Sequence, residues 1–234
     1  MAKNHHMILV ASLLLAVAAS LLEVSLAVEF SVNNTVSGSP GGIRFDREIG
    51  AAFTIQTEQS INDFIWKLFR QNLDAQRKQV PAVTVVIKKL DDDTLAETGE
   101  NNIYVNEFGI RSFGPGRARF EFTALMYHET THIFQWNGKG TAPGGLTEGI
   151  ADYVVMKSKF FESDGYTKPG EGSRWDEGYG VTARFLEYCD SLRAGFTVDL
   201  NNKMRDVYKD DYFRELLGKP LDQLWRDYKA KYGH

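Results

Sequence analysis

Two stretches with helical periodicity, Phe120 to Trp136 and Leu146 to Phe160, stand on either side of a nine-residue connection, Asn137 to Gly145, in which four residues are glycine. A connection this short reverses the chain and sets the second helix against the first. Asn137-Gly138 ends the first helix, with glycine supplying a left-handed residue, and Pro143-Gly144-Gly145 makes the turn that aims the second. The last turns of the first helix therefore face the beginning of the second. The connection reads as a hinge or cleft floor inside one domain, not as a boundary between two.

Upstream, Ile61, Phe64, Ile65, Leu68 and Phe69 recur at spacings of three and one and share a helical face, so Phe45 to Leu73 is expected to form one long helix or two in succession. Pro81 opens Ala82 to Leu90, a β-branched run with the composition of a buried strand, and Asp91 to Asp93 make an acidic turn. Asn102 to Phe108 alternates as a second strand, closed by Gly109 and the Gly114-Pro115-Gly116 cluster. Downstream, strands give way to helices at Glu177 to Arg193, Phe196 to Tyr208 and Pro220 to Tyr232. The order of helix, strands and then helices predicts an α+β architecture. No internal repeat, low-complexity tract or long linker interrupts it.

The paired helices carry the chemistry. His128-Glu129-Thr130-Thr131-His132 is an H-E-x-x-H sequence, and at i and i+4 the two imidazoles project from one helical face, one turn apart, where both can reach a single Zn²⁺. Glu129 lies beside them, placed to act as general base toward the attacking water. The chain has five histidines; His5 and His6 lie near the N-terminus and His234 is the last residue, so only His128 and His132 can sit deep in a fold. A catalytic zinc usually takes three protein ligands and keeps one position open, so the third ligand is expected to be a carboxylate. Glu148, at the start of the second helix, is the first candidate. Asp152, four residues on, shares its face and is placed to accept the free ring N–H of a metal-bound histidine, and is also the alternative third ligand.

Glu148-Gly-Ile-Ala-Asp152 resembles the Glu-x-x-x-Asp element that follows H-E-x-x-H in the gluzincin metallopeptidases. The longer segment His128 to Tyr153, HETTHIFQWNGKGTAPGGLTEGIADY, resembles the hallmark of the plant basic secretory proteins, secreted pathogenesis-related proteins regarded as metallopeptidases. Arg174 to Tyr188 (RWDEGYGVTARFLEY), Asp222 to Tyr232 (DQLWRDYKAKY) and Gly41 to Phe53 (GGIRFDREIGAAF) are similar to the same family. The resemblance implies a zincin-like fold: an N-terminal helix and small sheet packed on the active-site helix, a mainly helical C-terminal half, and the metal between them. It also implies zinc-dependent cleavage of peptide or protein substrates and a role in plant defence. The oxyanion formed on peptide cleavage needs a further donor, for which Tyr179 and Arg184 in the second resembling block are the candidates. Trp136 could line a substrate pocket, but a core position is the simpler expectation. One departure is plain: a net charge of -4 and a pI near 5.8 do not fit the word basic, which removes the ground for a role resting on attraction to acidic cell-wall polymers.

Residues 1 to 27 read as a secretory signal, with Lys3, an apolar run from Met7 to Leu22, and small residues at Ser25 and Ala27 before a cut after Ala27. A membrane anchor is the competing reading, but it needs about 20 apolar residues and Glu23 interrupts the run. The expected mature chain, 28 to 234, is thus a single secreted domain with its cleft near 128 to 152 and no large propeptide. Its acidity offers no general attraction to nucleic acid or anionic membrane. Asn33-Asn34-Thr35 is a glycosylation sequon in a polar stretch, expected to be exposed. Cys189, the one cysteine, has no internal disulfide partner and is expected to be buried. Two functions compete: a secreted zinc peptidase, favoured by the presence of Glu129, and a non-catalytic secreted defence or binding protein on the same scaffold. A third reading, a carbohydrate-binding cleft, would spend on ligand the aromatic residues that a core requires.

Overall fold

β-Branched residues at alternate positions make the centre of the sheet. In strand β2 (Ala82–Lys88), Val83, Val85 and Ile87 are buried on one face, and Ile103 and Val105 of β4 (Asn102–Asn106) extend that face. The structure, a computed structural model, describes residues 27–91 and 93–233, so the expected signal segment lies outside the described residues apart from Ala27. The four-stranded sheet has the order β1-β2-β4-β3. Strand β1 (Glu29–Asn34) and β4 run parallel to β2, and β3 (Ala96–Gly99) is antiparallel to β4.

Neither β1 nor β3 was legible in the sequence. β1 reads Glu-Phe-Ser-Val-Asn-Asn and buries only part of one face, so pairing along β2, with Val32 opposite Val85, creates the strand. Asn33 is exposed on it. β3 reads Ala-Glu-Thr-Gly, a poor strand sequence, and is brought onto β4 by a two-residue turn in which Glu100 and Asn101 both have positive φ (49° and 63°). The expected strand from Asn102 to Phe108 stops at Asn106, whose side chain accepts from Phe108 N–H at 3.2 Å and caps a short helix, α3 (Glu107–Ser112).

The expected helical stretch from Phe45 to Leu73 is divided. A short helix α1 (Pro40–Arg44) runs into a π turn at Phe45–Ile49, Gly50 breaks it, and α2 (Ala51–Leu68) follows. α2 buries Ile61 and Ile65 together with Glu58, which lies beneath the central helix α4 (Ala118–Phe134) and accepts a 2.7 Å hydrogen bond from the Thr130 hydroxyl. Burial pushes the Glu58 carboxyl up to about 8, and the Thr130 bond only partly opposes this. Between the ordinary value of 4.5 and pH 8 the folded chain keeps a proton that the unfolded chain releases, so stability from this group falls as pH rises. Glu58→Gln, uncharged throughout, is expected to gain on wild type by about 2–4 kcal/mol between pH 5 and pH 8. Urea unfolding at the two pH values measures the gap, and equal gaps would sink the assignment.

The α-helices that follow among the described residues are α5 (Gly144–Lys157), α6 (Tyr179–Leu192), α7 (Phe196–Lys203), α8 (Asp211–Leu217) and α9 (Leu221–Tyr232). α7 ends at Lys203, short of the expected Tyr208, because the glycine-rich connection takes the next backbone groups: Gly138 N–H donates to Met204 O and Tyr208 N–H to the Thr141 hydroxyl. α8 was not expected. One core runs from Val83 and Ile103 in the sheet through Phe122 and Phe134 of α4 to Phe185, Phe213 and Tyr228 in the helical half. Cys189 is buried within it, and burial pushes its thiol well above the usual range. Trp136 packs against the same core. Among the described residues no helix is long and apolar enough to cross a membrane.

Candidate metal centre

α4 carries His128 and His132 one turn apart, with their Nε2 atoms 3.1 Å from each other. α5 crosses them in close contact with α6, and two glycines allow it. A Cβ on Gly145 would lie 1.8 Å from Asp176 O, and one on Gly149 would lie 2.3 Å from Thr182 Cγ2. This approach fixes the rotation of α5 and turns Glu148 and Asp152 toward the imidazoles. Glu148 Oε2 comes to 3.1 Å from His128 Nε2 and 3.5 Å from His132 Nε2. Asp152 reaches the other side of His128, with Oδ1 2.8 Å from Nδ1, while its Oδ2 accepts from the Tyr166 hydroxyl at 2.7 Å. The sequence left two carboxylates open as the third donor; only Glu148 lies on the Nε2 side.

His128 Nε2, His132 Nε2 and Glu148 Oε2 all lie within 4.8 Å of one another. Zinc at 2.0–2.1 Å from tetrahedral donors would hold them about 3.3–3.4 Å apart, so the spacing and the two-imidazole, one-carboxylate chemistry fit that ion. Burial acts to lower the His128 pKa, but hydrogen bonds to Asp152 and Glu148 outweigh it and carry the imidazole up to about 10. Burial likewise acts to raise Glu148, yet His128 and His132 draw its carboxyl down to about 2. The two shifts are the two sides of one attraction between imidazole and carboxylate.

The three donors lie on the wall of a cleft of about 1050 Å³ between the outer edge of β3 and α4. Glu129, 5% exposed, also lines it. The Thr98 hydroxyl of β3 donates to Glu129 Oε2 at 2.8 Å and lies 3.2 Å from the Glu129 carbonyl, which orients the carboxylate. Thr98 escaped sequence reasoning because β3 itself did. Tyr166, in the loop between α5 and α6, left no sequence signal either.

Tyr179 and Arg184, one turn and a half apart on α6, separate in the structure. Tyr179 lines the cleft, 59% exposed, with its ring 5.9 Å from and within 13° of the His128 imidazole. It follows Gly178 and itself holds a positive φ of 42°, an uncommon conformation for a bulky residue and one that concentrates at functional sites. The Glu148 charge, then burial and the charges of Asp152 and Glu129, hold its phenol above the ordinary value, so it keeps its proton. Arg184 does not reach the cleft. Its guanidinium donates to Thr167 O and Glu187 and lies over the rings of Phe161 and Tyr166, so it buttresses the loop that carries Tyr166 to Asp152.

A family model described as "BSP: Peptidase of plants and bacteria" matches residues 25–228. A protein from Boswellia serrata named "Basic secretory protease" is 48% identical over 59 residues, which are 25% of this chain and 67% of that relative. No solved structure matches the chain.

Proposed function

Because the chain belongs to the BSP family, peptidases of plants and bacteria, we propose that it is a secreted zinc endopeptidase of zincin-like fold, a single domain whose ligands are His128, His132 and Glu148. The convergence of those three donors on the cleft wall beside Glu129 is the observation that carries this reading. Zinc bound there would supply Lewis acidity, acidifying water and polarising the scissile carbonyl. Every other part of the reaction falls to the chain. The free edge of β3 offers backbone groups along which an extended peptide can lie, as in strand addition generally. Glu129, oriented by Thr98, takes a proton from the attacking water and returns it to the departing amine. The Tyr179 phenol, which keeps its proton, donates a hydrogen bond to the oxyanion. Asp152 holds the His128 ring with Nε2 toward the cleft.

Cleavage of an unstructured protein substrate is expected to vanish on dialysis against a chelator and to return with one equivalent of zinc per chain. In the same assay Tyr179→Phe should lower kcat about 10²-fold with little change in KM. Chelator-resistant cleavage, or a KM effect alone in the Tyr179 variant, would overturn the respective role.

Secretion and a place in plant defence rest on the resemblance and on the relative's name, with the signal-like residues 1 to 27 in support. Apoplastic fluid from infected tissue is expected to contain the chain beginning at Val28 and carrying a glycan on the exposed Asn33. A chain that stays inside cells with its first 27 residues intact would refute this.

A further inference from the structure

His132 can offer its Nε2 lone pair to a cation only with its proton on Nδ1, because the two ring nitrogens of a neutral imidazole exchange donor and acceptor roles. A buried Nδ1–H in turn requires an acceptor. For His128 a carboxylate, Asp152, fills that place. For His132 the neighbour is the side-chain amide of Gln135, 2.8 Å from Nδ1.

Gln135 is placed for the purpose. It is 2% exposed and caps α4, its backbone N–H bonded to Thr131 O, so its side chain turns back beneath His132. It also reaches α5, where the amide nitrogen lies 3.2 Å from the carbonyl of Thr147, the residue before Glu148. In this orientation the amide nitrogen faces both His132 Nδ1 and Thr147 O, and Oε1 is buried without a partner. Such an amide serves a His132 whose proton sits on Nε2. The two ends of an amide have nearly the same shape, and a half-turn exchanges them. Oε1 then accepts from Nδ1–H, at the expense of the bond to Thr147 O. The turn also sets Oε1 against Thr147 O and moves the amide nitrogen to the position that has no partner, so the turned orientation is the costlier one until a cation holds His132 in the Nδ1–H form.

We infer that Gln135 is the positioning residue of His132: turned so that Oε1 accepts from Nδ1–H, it selects the tautomer that presents Nε2 to a divalent cation. The inference rests on the metal site proposed above. It makes the two histidines unequal, one backed by a carboxylate and the other by a neutral amide that must turn when the ion binds.

The test compares zinc affinity, by chelator competition, in wild type, Gln135→Leu and Gln135→Glu, with thermal unfolding of each and imidazole ¹H–¹⁵N spectra of the zinc-loaded proteins. The Leu variant, which cannot accept, should bind zinc about 10–100-fold more weakly. The Glu variant, whose carboxylate can only accept, should bind at least as tightly as wild type, and its His132 Nδ1 proton should move downfield. Unchanged affinity in the Leu variant overturns the inference, as does equal weakening in both, which would mark Gln135 as packing. Should the Leu variant not fold, an Nδ1 proton at the same position in wild type and the Glu variant overturns it. Zinc binding by wild type that ignores residue 135 sinks this inference alone; a wild type that binds no zinc sinks the metal site with it.

Discussion

Glu129→Gln is expected to lower kcat by about 10³-fold while zinc content and thermal stability stay near wild type. The substitution keeps the shape of the side chain and an oxygen to accept from Thr98, so the wall formed by β3 and α4 should hold. Glu129 is not one of the three converging donors, so the loss of its charge should change zinc affinity far less than the loss of a ligand. What disappears is the base: an amide cannot take a proton from water at neutral pH, and a positioned acid–base group contributes about 10²–10⁴-fold. Initial rates on a quenched peptide, with metal analysis of the same preparation, give the measurement. A Gln variant that cleaves at the wild-type rate would remove Glu129 from the mechanism, and zinc retained with no cleavage in either form would favour the non-catalytic binding protein.

The second large effect separates the two carboxylates of α5. Glu148→Gln is expected to weaken zinc binding about 10²–10³-fold: sharing the roughly 10–16 kcal/mol of a four-ligand structural zinc site among its ligands gives about 2.5–4 kcal/mol for one. Asp152→Asn should weaken it only about tenfold, at the low end for partners that hold a ligand, because Asn keeps one oxygen to accept from His128 Nδ1–H. Its amide nitrogen can still donate to the Tyr166 hydroxyl, so the loop between α5 and α6 should stay in place. Chelator competition at one pH measures both. A larger loss in the Asp152 variant than in the Glu148 variant would reverse the assignment, and equal losses would mean that neither carboxylate is specific.

These roles were unevenly visible beforehand. H-E-x-x-H and the carboxylates after Gly145 could be read as a metal-binding pattern, but Thr98 could not, since nothing in Ala-Glu-Thr-Gly announces a strand. Tyr179 and, behind it, Arg184 were candidates five residues apart, and their separation depends on where the loop before α6 places its neighbours: Thr167 O and Glu187 capture the guanidinium, while Gly178 swings Tyr179 over His128. Likewise the end of α7 at Lys203 follows from hydrogen bonds to Gly138 and Thr141, more than sixty residues earlier.

What the sequence determined by itself is local. Helical rise and twist put His128 and His132 on one face whatever surrounds them, and the glycine-rich connection obliges the next helix to return toward them. The β-branched run at Val83 to Ile87 had no better place than a sheet centre. Only the tertiary structure decided which carboxylate meets Nε2 and which meets Nδ1, because that depends on the rotation of α5 about its own axis. Gly145 and Gly149 set that rotation through contact with Asp176 and Thr182, about thirty residues further along. Periodicity within one element is written in neighbouring residues, whereas the angle between two elements is settled by the side chains that must fit between them.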